Sequence, residues 1–70
     1  MLDRIDKEII RFLLKYTGKF LTTNQIAKKV GISPLTAKRH LEKLARAGYV
    51  ESKYSEHVRE YEWKERIKRR

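Results

Sequence analysis

The stretch TTNQIAKKVGISPLTAKRHLEKLARAGYV, Thr22 to Val50, decides the fold. It opens on Thr22 with Gln25 three residues on, a capping box leading into Ile26, Ala27 and Val30. Gly31 fits the left-handed position after the last turn of that helix. Ser33 and Pro34 then start a second helix. The serine hydroxyl accepts from a free backbone N–H, and proline has no N–H to leave unpaired at the first helical position. Ala37, Leu41, Leu44 and Ala45 recur at helical spacing as its buried stripe, and Gly48 ends it. About two residues lie between the helices, and so short a turn makes them cross steeply.

Upstream, Leu2, Ile5, Ile9, Phe12, Leu13 and Tyr16 form one apolar stripe, which predicts a helix from about Asp3 to Tyr16. Asp3 and Asp6 sit near its positive end, and Gly18 stops it. Phe20-Leu21 fits a very short strand. Downstream of Gly48 the period changes from 3.6 to 2. Val50 and Tyr54 share a parity, and so do Tyr61 and Trp63, which predicts two strands with those four residues facing the helices. Ser55-Glu56-His57 lies between them, with no Gly or Asn-Gly to name the turn type or register. The fold class is therefore mainly α with a small β-hairpin (α+β). Three helices and a two-stranded antiparallel wing make the winged helix-turn-helix plan, over residues 1–63, followed by a basic tail, residues 64–70.

Composition narrows the function. The chain has 70 residues, 18 Lys and Arg against 9 Asp and Glu, and a formal net charge of +9. A core of 40% hydrophobic residues suffices for one small domain. A thermophile-like surface explains many charges but predicts balance, so the sign points to a polyanion. With 0 Cys and 2 His there is no disulfide framework and no thiolate zinc site, and no metal or other cofactor is expected. No apolar run approaches the roughly 20 residues of a membrane span, and no signal-peptide pattern opens the chain, so a cytoplasmic, nucleoid-associated protein without membrane contact is expected. No nucleophile–base pair, phosphate loop or paired-carboxylate arrangement is identifiable, so an enzyme is not expected.

The segment LDRIDKEIIRFLLK, Leu2 to Lys15, resembles the opening of Lrp/AsnC-type regulators. Thr22 to Val50 is similar to the helix-turn-helix of that group and of ArsR-like and MarR-like repressors. The resemblance covers about residues 2 to 50 and implies a DNA-binding regulator. Lrp/AsnC proteins carry a second, ligand-binding domain after this part. The 70 residues leave no room for one, so no small-molecule effector is expected.

On a helical wheel of the third helix, Thr36, Arg39 and Lys43 fall opposite the apolar stripe, with His40 and Ala47 on one flank and Leu35, Glu42 and Arg46 on the other. In a helix-turn-helix this helix enters the major groove with its N-terminal residues at base edges. Arg39 has the fork that bridges guanine O6 and N7, Thr36 suits a base or a phosphate, and Lys43 is expected on a phosphate. The resemblance implies the same face: regulators with a segment like Ser33-Pro34-x-Thr36-x-x-Arg39-His40-Leu41 use it on DNA. The expected DNA-binding set is Ser33, Leu35, Thr36, Arg39, His40 and Lys43, with Lys53 and Arg59 from the wing. Thr22 and Thr23 cap the second helix, whose N-terminus also suits a phosphate.

Charge is unevenly distributed: +4 over residues 1–33, +3 over 34–48, −2 over 49–63 and +4 over 64–70. The wing is thus net acidic, through Glu51, Glu56, Glu60 and Glu62. The tail is expected to take phosphates instead, through Arg66, Lys68, Arg69 and Arg70. Ile10 and Leu14, at i, i+4 on the flank of the first helix, suggest a homodimer seam, set against simple burial of that helix. The function expected is sequence-specific double-stranded DNA binding as a transcriptional regulator. The alternative is a winged-helix protein-interaction module of the transcription or repair machinery, and RNA ranks third because the hairpin lacks the aromatic pattern of an RNA-reading sheet.

Overall fold

A computed structural model of the chain describes residues 2–66. The elements run α1 (Arg4–Lys15), β1 (Leu21–Thr22), α2 (Thr23–Val30), α3 (Pro34–Arg46), β2 (Val50–Ser55) and β3 (Glu60–Glu65). Ile9 and Leu13 of α1, Ile26 and Ala27 of α2, and Ala37, Leu41 and Leu44 of α3 meet Val50 and Trp63 of the sheet in one buried core.

Caps set the helix starts, as expected for α2 and α3; on α1 the acids expected near the positive helix end also cap it. Asp3 and Asp6 form a reciprocal capping box on α1, and Thr22 and Gln25 form one on α2. Ser33 caps α3, with Pro34 in its first turn. Gly31 turns the chain after α2 in the left-handed region, at φ 85°. The turn before α3 is three residues, Gly31 to Ser33, rather than two. After α3, Tyr49 N–H bonds the Leu44 carbonyl and Gly48 N–H the Ala45 carbonyl, the paired bonds that close a helix through a left-handed residue. Gly48 takes that place at φ 88°.

The sheet departs from the reading in four ways. It has three strands in the order β1-β3-β2, all antiparallel. The short first strand falls one residue later than Phe20-Leu21 and pairs Leu21 with Trp63 and Thr22 with Glu62. The turn is Glu56 to Arg59, because Ser55 pairs with Glu60 inside the ladder. Arg59 closes it in the left-handed region at φ 58°, its N–H 2.7 Å from the Ser55 carbonyl. Finally, β3 runs to Glu65, so Lys64 and Glu65 are strand and not tail.

Register assigns the faces. Val50, Ser52 and Tyr54 oppose Glu65, Trp63 and Tyr61 on the face toward the helices. The hairpin outruns the core, so Val50 and Trp63 are buried while Tyr54 and Tyr61 stay exposed toward the tip. Glu65 lands on the inner face, buried, with Oε1 lacking a hydrogen-bond partner among the described residues.

Candidate nucleic-acid interface

Four elements place the candidate residues. Along α3, Arg39 and Arg46 are exposed, and neither has an acidic partner among the described residues. Leu35 is 61% exposed at the start of the helix. Thr36 is half-buried and engaged locally: its N–H donates to the Ser33 hydroxyl, which donates in turn to Thr36 Oγ1 at 2.9 Å.

His40 and Lys43 point elsewhere than the wheel implied. Both converge on Asp6, which is fully buried at the start of α1. Asp6 Oδ1 lies 2.7 Å from His40 Nδ1, and Oδ2 lies 2.7 Å from Lys43 Nζ. The Asp3 N–H completes the set at 3.1 Å from Oδ2. Burial pushes the Asp6 carboxyl up, but bonds from Lys43, His40 and the Asp3 backbone outweigh it and hold the pKa at about 2. The same hydrogen bond raises the pKa of Lys43. The lysine expected on a phosphate therefore already carries an anion. Asp3, Asp6 and His40 bring ligand atoms within 4.8 Å of one another, but the Lys43 ammonium occupies the cation position on Asp6.

A groove of about 360 Å³ opens between the first turn of α3, the start of α2 and the wing. Leu35, Lys38, Tyr54, Tyr61 and Arg59 line it. Lys38, absent from the expected set, holds its ammonium 5.6 Å from the Tyr61 ring centre. On the wheel it lies beside the apolar stripe, and only the position of the wing turns that side into a groove wall. Tyr54 and Tyr61 pack edge to face, with ring centres 5.2 Å apart. Arg59, from the hairpin turn, joins the α3 residues here.

Lys53 does not. It projects from the outer face of the sheet, 4.5 Å from the Phe20 ring centre and 3.9 Å from Glu62. Arg66 follows β3 at the end away from the turn, its N–H on the Tyr49 carbonyl. Lys68, Arg69 and Arg70 lie outside the described residues. The α2 N-terminus, expected to suit a phosphate, faces the Glu60 carboxylate, which takes the Asn24 side-chain amide at 3.2 Å and its backbone N–H at 3.5 Å. Thr22 caps that helix. Thr23 instead accepts the buried Trp63 indole N–H at 2.7 Å and donates to the Tyr61 carbonyl at 3.3 Å. Ile10 is half-buried against the core, whereas Leu14 is 50% exposed.

Three helices, a three-residue α2–α3 turn, exposed arginines on α3 and a β-hairpin beside it define a winged helix-turn-helix. The chain belongs to the winged helix-turn-helix DNA-binding family, whose pattern matches residues 2–51. No curated protein matches the sequence. Among solved structures, the chain is similar to the Zalpha domain of Carassius auratus PKZ, solved in complex with Z-DNA. The identity is 27% and the TM-score 0.71, over 89% of this chain and 92% of that one. It also shares its fold with a possible transcriptional regulator from Methanosarcina mazei, at 17% identity and TM-score 0.83, over 96% of this chain and 58% of that one. A ZitR variant from Lactococcus lactis matches at 24% identity and TM-score 0.77, over 93% of this chain and 43% of that one.

Proposed function

We propose that this domain binds double-stranded DNA in a sequence-dependent manner as a transcriptional regulator, with α3 in the major groove. The observation that carries this reading is the exposed pair Arg39 and Arg46 on α3, free of acidic partners among the described residues. Arginine forks match guanine edges, and helix placement in the groove supplies the register. Lys38 and Arg59, on either side of the groove, serve the phosphates that border it. The N-terminal likeness to Lrp/AsnC-type regulators supports the same role.

Selection from random duplex pools tests the reading, followed by affinity measured against salt. Contact with about 5–6 phosphates gives a log–log salt slope near −5. Arg39→Ala with Arg46→Ala is expected to weaken the selected site by 10-fold or more. A slope near zero, or no enriched sequence, overturns it. Retained binding to a protein partner by that double variant, with no duplex affinity in the parent, identifies the interaction-module alternative.

A second reading follows from the Zalpha likeness: recognition of left-handed DNA by backbone shape. The aromatic groove wall of Tyr54 and Tyr61 favours it, since exposed rings pack on sugar faces without reading bases. An alternating CG duplex locked in the left-handed form then binds more tightly than any right-handed duplex.

A further inference from the structure

Several acids of this chain are engaged by its own side chains and backbone, and their placement leaves a second cationic surface. Asp3 caps α1, Asp6 holds His40 and Lys43, and Glu8 lies 3.7 Å from Arg4. Glu51 and Glu62 meet Lys64 and Lys53 on the outer sheet face. On α1, α2 and the segment between them, Lys7, Arg11, Lys15, Lys19, Lys28 and Lys29 are exposed and without an acidic partner among the described residues. Cations in the last turn of a helix complement its dipole, which accounts for Lys15, Lys28 and Lys29. It does not account for Lys7 and Arg11, which continue the Lys15 stripe toward the N-terminus at intervals of four.

Arg11 and Lys15 of α1 and Lys29 of α2 converge on a shallow concavity of about 160 Å³ with Phe12 and Val30 in its wall. Glu8, its one acid, is the partner of Arg4. No residue of α3 or of the wing lines this concavity. It shares no lining residue with the groove between α3 and the wing, so the two surfaces are built from separate sets of side chains. Three cations from two rigid helices around one hollow match the spaced phosphates of a nucleic-acid strand better than a single counter-ion.

We propose that Arg11, Lys15 and Lys29 form a second phosphate-binding surface that holds a second DNA duplex while α3 holds the first, so that one domain bridges two segments. The inference rests on the DNA-binding reading of α3. The test is an amide NMR titration of the full chain with a duplex of about one helical turn, too short to curve round the domain. The first equivalent is expected to shift resonances of Arg39 and Arg46. Excess duplex is expected to shift those of Arg11, Lys15 and Lys29. The variant Arg11→Gln/Lys15→Gln/Lys29→Gln changes only exposed side chains. It is expected to weaken the second event 10-fold or more and the first by less than threefold.

Saturation at one duplex per chain with α1 and α2 unmoved overturns the bridge and leaves the α3 reading intact. A shift confined to α1 and α2 overturns the α3 reading instead. Tighter binding of an acidic peptide than of duplex at this surface overturns its assignment to DNA.

Discussion

Asp6 is the residue around which the reading of α3 changes. As a free side chain on an exposed turn it would be an ordinary helix-start acid. Buried against His40 and Lys43, it becomes a tie between the start of α1 and the middle of α3. Its folded pKa of about 2 lies below the ordinary 3.8. The stabilisation is therefore fully present above pH 3.8 and is lost as pH falls toward 2. The shift corresponds to about 2 kcal/mol. Thermal unfolding followed from pH 6 down to pH 2 is expected to show this loss, and Asp6→Asn to remove most of the dependence in that window. The amide variant leaves the Lys43 ammonium against a neutral group, so it is also expected to be less stable at pH 7 by about 2–3 kcal/mol. Lys43→Ala is expected to act mainly on stability, whereas Arg39→Ala acts mainly on DNA affinity. Equal effects of the two on the salt slope of binding contradict this division of roles. The signal for the tie is faint in the sequence: an Asp at the third position of α1, and a His and a Lys three apart on α3, separated by over thirty residues.

At the scale of elements, the wing is fixed to the helices more firmly than a free hairpin. A polar bridge joins the wing to α2: the Trp63 indole donates to Thr23, whose hydroxyl donates on to the Tyr61 carbonyl. With Asn24 on Glu60 and Leu21–Thr22 paired to β3, it locks the hairpin against the start of α2. Thr23→Val keeps the shape but leaves a buried indole N–H without a partner, and is expected to cost about 1–2 kcal/mol in urea unfolding. An unchanged midpoint shows that the bridge contributes nothing net. The helices were legible because caps, glycines and apolar spacing are local signals. Strand parity was legible for the same reason. The pairing of β1 with β3 was not, since two residues carry no period and their partner lies some forty positions away. The turn lies at 56–59, not 55–57, because Arg59 closes it in a left-handed conformation that glycine or asparagine would normally announce.

At the scale of the molecule, 34 × 23 × 21 Å, the core absorbs nearly all the apolar stripe of α1. The suggested seam reduces to Leu14, because Ile10 packs within the protomer. A stable dimer buries on the order of 1,000 Å² or more, which one leucine does not supply. An α1–α1 contact also sets the stripe of Arg4, Lys7, Arg11 and Lys15 against its copy. Sedimentation at micromolar concentration without DNA is therefore expected to show a monomer; a dimer whose formation Leu14→Lys abolishes shows the seam to exist. By itself the sequence determined the three helices with the caps of the second and third, the short turn between those two, the two-residue period of the wing, and the excess of positive charge. Each of these follows from residue type and near-neighbour spacing. The tertiary structure alone decided which cations are free. Lys43 is held by an acid of another helix, Lys53 turns to the outer sheet face, and Lys38 becomes a groove wall only where the hairpin lies beside α3. The physical reason is that a charge acts through its distance to other charges, and those distances are set by packing between elements far apart in the chain.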